Sequence, residues 1–126
     1  MAKILIVDDD PDIVDACRLF LEKQGYTVTG ASSRADGMQA IASHKPDLLV
    51  LDIMMEQPDD GIAMAQELRR QGFKAPILML TSISKVTGME YGRDNDLVPV
   101  DGFLEKPVQP ATLVGMVKQL LGRKEG

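Results

Sequence analysis

Three aspartates, a hydroxyl and a lysine stand at the ends of four short apolar runs in this chain. Ile4-Leu5-Ile6-Val7 leads into Asp8-Asp9, Leu48-Leu49-Val50-Leu51 into Asp52, Ile77-Leu78-Met79-Leu80 into Thr81-Ser82, and Phe103-Leu104-Glu105 into Lys106-Pro107. Carboxylates gathered at one point cannot all ionise unaided, so either their pKa values rise or a cation neutralises them. An oxygen-rich site with few protein ligands and open water positions suits Mg²⁺. Lys106 adds a fixed positive charge and Thr81 a hydroxyl donor. The set describes a carboxylate nucleophile beside a divalent cation, with lysine and hydroxyl placed to hold the oxygens of an incoming phosphoryl group.

Such a constellation needs elements that bring the run ends together. Apolar runs of this length, separated by helix-like segments, read as buried strands of a parallel sheet. In open α/β sheets the carboxyl ends of the strands form the ligand crevice. The segments between them fit. Asp10-Pro11 opens a helix with a side-chain cap and a first-turn proline; Ile13, Cys17, Phe20 and Leu21 recur along it, and Gly25 stops it. A strand is expected from Tyr26 to Ala31, then a helix from Ser33 to Ser43 with Ala35, Met38, Ile41 and Ala42 inward and Pro46 closing it. A third helix is expected from Gly61 to Gln71 on Ile62, Ala65 and Leu68, and a last one from Pro110 on Leu113, Val117, Leu120 and Leu121. Between Thr81 and Gly102 the glycines and the polar Arg93-Asp94-Asn95-Asp96 predict an irregular, loop-rich fourth crossover, with at most a short helix from Ser84 to Tyr91. Asp94-Asn95-Asp96 lacks the further ligands of a calcium loop and reads as a solvated turn.

A chain of 126 residues, 44% of them apolar, accommodates one domain: residues 1–121, followed by a tail at 122–126. Its net charge of −5 and its scattered basic residues argue against a nucleic-acid partner. No stretch approaches the roughly 18 apolar residues that span a bilayer, and Met1-Ala2-Lys3 does not open a signal peptide. One cysteine, Cys17, forms no internal disulfide, which agrees with a reducing cytoplasm; on the apolar stripe of its helix it reads as a small buried hydrophobe. His44, at a helix end, reads as a surface residue.

Taken singly, each site residue has an ordinary explanation: a helix cap for Asp10, a turn for Asp52, a strand end for Thr81. The order acid pair, acid, hydroxyl, lysine at four successive run ends carries the signal. With Asp60-Gly61 added, the chain resembles, from about Lys3 to Leu121, the receiver domain of two-component response regulators, in the size range of the stand-alone chemotaxis receivers. The resemblance implies a flavodoxin-like, doubly wound five-stranded parallel sheet in the order 2-1-3-4-5 with helices on both faces. It implies Asp52 as phosphoacceptor, Mg²⁺ held by Asp9, Asp52 and the Met54 carbonyl with Asp8 acting through water, and Thr81 and Lys106 on the phosphoryl group. Phe103 matches the aromatic that rotates inward on activation. A phosphohistidine of a sensor histidine kinase or phosphotransfer protein would be the donor, and the output a shift in the face around the fourth helix, fifth strand and fifth helix, read by a downstream protein. Such a domain is a cytoplasmic switch, monomeric or dimerising on phosphorylation, and no enzyme beyond its own phosphorylation and dephosphorylation.

The interval from Asp52 to Gly61 is one residue longer than the commonest receiver spacing, and Glu56 stands where proline is usual. The Thr81-to-Lys106 interval is also long, which directs attention to a loop as the output surface. Met54 and Ile83, flanking the pocket, cannot orient a hydrolytic water, which predicts a long-lived phosphoryl group. Two rivals remain. A haloacid-dehalogenase-like phosphatase would share Asp8-x-Asp10, but Pro11-Asp12 follows where that family has threonine or valine. A binding module on the same scaffold would not require the full acid, hydroxyl and lysine set.

Overall fold

A computed structural model describes residues 2–53, 55, 60–81 and 100–125, with side chains through Gly122. Nine elements follow in order among them: β1 (Lys3–Val7), α1 (Pro11–Glu22), β2 (Thr27–Ala31), α2 (Arg34–His44), β3 (Leu48–Asp52), α3 (Asp60–Arg70), β4 (Ile77–Thr81), β5 (Gly102–Glu105) and α4 (Pro110–Glu125). The strands form one parallel sheet, as the apolar runs predict, in the order β2-β1-β3-β4-β5 that the family resemblance implies.

Alternation along each strand divides the interior into two cores. Ile4, Ile6, Leu48, Val50, Leu78 and Leu80 face Cys17 and Leu21 of α1 and Leu113, Val117, Leu120 and Leu121 of α4. Leu5, Val7, Leu49, Leu51, Ile77 and Met79 face Met64, Ala65 and Leu68 of α3 and, at the rim, Met38 and Ile41 of α2. A sheet covered on both faces has no polar side, which is why its central strands read as unbroken apolar runs. Each buried Leu, Ile or Met contributes about 1.5–3 kcal/mol.

Helix ends follow local chemistry. Asp10 caps α1, its Oδ1 accepting the Asp12 N–H at 2.9 Å, with Pro11 in the first turn. Ser33 caps α2 in the same way through Asp36 N–H. Gly25 (φ +94°) and Gly72 (φ +91°) reverse the chain after α1 and α3 in the left-handed region that glycine enters without steric cost.

Several details differ from the sequence expectations. Tyr26 precedes β2, because its N–H bonds Leu21 O and closes the end of α1. In α2, Ala35 and Ala42 are exposed, and Gly37 is the buried residue, flanked by the half-buried Met38 and Ile41. A search for apolar residues overlooks Gly37, although a Cβ there would lie 2.9 Å from Val7 Cγ2 and Met64 Cε. Lys45, at φ +48°, ends α2 one residue before Pro46. Helix α3 starts at Asp60 and ends at Arg70, and its strongest anchor, Met64, lies outside the expected stripe. Helix α4 continues to Glu125, through the residues read as a tail, since Gly122 keeps a helical backbone and good helix formers follow it. The segment expected to form a short helix at 84–91, the turn at 94–96 and nearly all of the irregular crossover lie outside the described residues.

Candidate functional site

Strand register aligns the chemistry. Val7 pairs with Leu51, Asp52 with Leu80, and Thr81 with Glu105. Asp8 therefore leaves β1 beside Asp52, and Lys106 leaves β5 one step beyond Thr81. Four neighbouring strands, each about 4.8 Å from the next, deliver these groups to one edge.

Asp8, Asp52 and Thr81 are the buried polar residues among those described, with Asp8 fully inaccessible. Lys106 Nζ lies 3.0 Å from Asp8 Oδ2 and 3.3 Å from Asp52 Oδ1, so one ammonium serves two buried carboxylates. Its backbone is tethered as well, Lys106 N–H donating to Thr81 O at 2.7 Å. Burial opposes the lysine's charge, but the close contact with Asp8 and the charge of Asp52 outweigh it and raise its pKa above the ordinary value. Asp8 is oriented by its own turn, Oδ1 accepting the Asp10 N–H at 3.0 Å.

Asp9 is exposed and completes the acidic group: one carboxylate oxygen from each of Asp8, Asp9 and Asp52 lies within 4.8 Å of the others. Among the described residues, three carboxylates face one ammonium there. Asp8 Oδ2, although close to Lys106, is buried without a donor in hydrogen-bonding geometry among the described residues. Oxygens gathered this closely can surround one small divalent cation, directly or through bound water. The donor set therefore fits Mg²⁺. It is made of hard oxygens only, partly preformed, and open to water on the Asp9 side.

Phe103 sits half-buried on β5 beside Met79, three residues before Lys106. Met54, whose carbonyl is the expected fourth ligand, lies outside the described residues, as do Glu56 and Ile83. The structure adds contacts that sequence reading did not assign. Gly61 N–H donates to Ile53 O at 2.8 Å, tying the start of α3 to the end of β3. Arg34 of α2 lies 3.9 Å from Asp60 of α3 at the same end of the sheet. The Asp60-Gly61 pair was visible as a motif, but its partners are distant in sequence and unmarked there.

A five-stranded parallel sheet in this order, with helices on both faces, is the flavodoxin-like fold, here carrying acids, a hydroxyl and a lysine at the carboxyl ends of its strands. The family model of the response regulator receiver domain matches residues 4–118, and the chain belongs to that family. It is 39% identical over 127 residues to the alkaline phosphatase synthesis transcriptional regulatory protein PhoP of Bacillus subtilis (strain 168), covering 98% of this chain and 50% of PhoP. It is 35% identical over 127 residues to the DNA-binding dual master transcriptional regulator RpaA of Synechocystis sp. (strain ATCC 27184 / PCC 6803 / Kazusa), covering 99% of this chain and 51% of RpaA. The chain thus spans about half the length of these curated relatives. Among solved structures, a two-component response regulator from Clostridium difficile superposes with a TM-score of 0.85 at 28% identity, over 100% of both chains. The chemotaxis protein CheY4 of Vibrio cholerae superposes with a TM-score of 0.80 at 29% identity, over 95% of this chain and 98% of CheY4. Receiver domains of two-component systems are signalling switches rather than metabolic enzymes. No helix among the described residues is long and apolar enough to cross a membrane.

Proposed function

We propose that Asp52 accepts a phosphoryl group from a phosphohistidine of a sensor histidine kinase or phosphotransfer protein. A carboxylate oxygen of Asp52 attacks phosphorus in line, the P–N bond to the donor imidazole breaks, and the imidazole leaves with that electron pair. With Lys106 Nζ 3.3 Å from the Asp52 carboxylate, the step needs positioning and charge neutralisation more than proton transfer. Mg²⁺, held by Asp9, Asp52 and the Met54 carbonyl with Asp8 behind a water, would neutralise charge on the phosphoryl oxygens. Lys106 pairs with one of those oxygens and Thr81 donates its hydroxyl to another.

The observation that carries this reading is the single ammonium shared between two buried carboxylates, with a third carboxylate at the solvent edge. Such a site is unsettled as it stands, and a new anion beside Lys106 redistributes every pairing in it. Movement of Thr81 and Lys106 toward the acyl phosphate, followed by Phe103, biases the face around β5 and α4, which a downstream protein reads. The fourth helix of the family pattern would fall at 82–99, outside the described residues.

The names of PhoP and RpaA, transcriptional regulators about twice the length of their matched parts, support an output passed on by protein contact, within a longer chain or to a separate partner. This domain itself contacts no nucleic acid in the proposal. It works in the cytoplasm, as a monomer or as a dimer formed on phosphorylation.

The test is incubation with Mg²⁺ and a small acyl-phosphate donor, followed by intact-mass analysis and peptide mapping. Wild type gains one phosphoryl group at Asp52, and Asp52→Ala gains none. Unmodified wild type, or modification mapped to another residue, overturns the assignment. Catalytic release of phosphate from simple esters would favour a phosphatase instead.

A further inference from the structure

Glycine 61 touches the phosphoacceptor's own peptide. It is buried in the first turn of α3, and a Cβ built on it would overlap the carbonyl oxygen of Asp52 outright. That Cβ would also lie 2.7 Å from Ile53 Cα and 2.8 Å from the Asp52 carbonyl carbon, distances that real Cβ atoms essentially never show. All three neighbours are backbone atoms, which cannot swing aside as a side-chain tip can. Gly61 differs in this from Gly37 and Gly102, whose nearest would-be neighbours are the ends of Val7, Met64 and Met116 side chains.

On the other side of the contact, Gly61 N–H holds Ile53 O at 2.8 Å, and Ile53 N–H donates to Leu80 O at 3.0 Å. The peptide linking Asp52 to Ile53 is therefore held between β4 and the first turn of α3. We propose that Gly61 is a positioning residue for phosphoryl transfer. The absence of a side chain at 61 lets α3 press on the 52–53 peptide and fixes where the Asp52 carboxylate stands relative to Lys106, Asp8 and Asp9. A methyl group at 61 must displace either helix or strand end, and displacement of the strand end moves the nucleophile. The inference rests on the phosphoacceptor reading above, but its geometry concerns the metal pocket equally.

The experiment compares Gly61→Ala with Leu68→Ala, a buried core truncation about two turns further along the same helix. Mg²⁺ affinity is measured by calorimetry, the rate of phosphorylation by acyl phosphate by intact mass, and thermal stability by circular dichroism. Backbone amide spectra are recorded on metal-free protein. Gly61→Ala is expected to phosphorylate ~10- to 100-fold more slowly and to bind Mg²⁺ several-fold more weakly. Its amide shifts should centre on Asp52, Ile53 and Lys106. Leu68→Ala loses stability while its Mg²⁺ affinity and rate stay near wild type. If either variant melts too low, all three proteins are compared in sucrose, an excluded osmolyte that restores the compact state. Wild-type Mg²⁺ affinity in Gly61→Ala, losses that merely follow stability as in Leu68→Ala, or failure of Gly61→Ala to fold even in sucrose each overturn the proposal. If wild type itself takes no phosphoryl group, the phosphoacceptor reading fails, and the Mg²⁺ and amide measurements still judge Gly61.

Discussion

Lys106 is the residue on which the resting site depends. Replacing it with alanine takes from fully buried Asp8 the ammonium that lies 3.0 Å away, a class of change that costs about 3 kcal/mol or more. Metal-free Lys106→Ala should therefore melt well below wild type, and Mg²⁺ should raise its melting temperature by more than it raises that of wild type. Equal Mg²⁺ shifts in the two proteins would show that the ion pair does not compensate the carboxylates. Cys17 behaves differently. Burial, then the charge of Asp8, push its thiol from 9.0 up to about 11, partly offset by Lys106. The native thiol should resist alkylation at pH 8 and react only on unfolding. Both groups hold their protons more tightly folded than unfolded. Each therefore contributes stability that is intact below its unfolded pKa and disappears as pH climbs through its folded one. For Cys17 that window runs from 9.0 to about 11, and for Lys106 it opens above 10.5. A denaturation midpoint that is flat from pH 8 to pH 11 would contradict this. At this scale the sequence marked the acids, the hydroxyl and the lysine, because a polar residue ending an apolar run stands out. It marked Gly61 only as half of the Asp60-Gly61 motif and not by its contact, since what matters there is a neighbour eight or nine positions away.

Secondary-structure elements were readable where burial was continuous and obscure where it was shared. The four apolar runs form strands where expected, β2 lies within the alternating segment expected to form it, and the four buried residues of α4 among those described are the four expected from its spacing. Helix α2 misled because its contact with the sheet is made through the small residue Gly37, and hydrophobic periodicity weighs large side chains. A second relation invisible in sequence ties α3 to the far end of the sheet. Arg69 donates to Phe73 O at 2.8 Å, Ala75 O at 2.9 Å and Asp101 Oδ2 at 2.9 Å. Asp101 also accepts Ile77 N–H at 2.8 Å, so one carboxylate joins α3, β4 and the approach to β5. Asp101→Ala and Arg69→Ala are each expected to cost about 1–3 kcal/mol by leaving these backbone groups short of partners. A double-mutant cycle by urea denaturation should give a coupling above ~0.5 kcal/mol. Strict additivity would mean that the two residues stabilise their elements independently.

For the whole molecule, the decisive fact is that two cores share one sheet. Leu5, Leu49 and Ile77 point to one face, and their neighbours Ile4, Leu48 and Leu78 to the other, all at 0–1% exposure. Neither helical layer can separate without exposing strands that the other layer also covers. Unfolding should therefore be cooperative, with methyl signals from Val117 and Leu121 lost at the same urea concentration as those from Met64 and Met79. Two separated transitions would show that the layers are independent. The same sharing explains why the chain's architecture could be read from its runs: a strand buried on both sides leaves few alternatives to a parallel sheet. One local feature bears on how such chains diverge. Where Gly61 bonds Ile53, the β3–α3 connection is closed at its root by a 2.8 Å link. A lineage can therefore gain or lose residues between those two points, changing what approaches the pocket mouth, while the inherited seat of the helix and the alignment of the strands stay as they were.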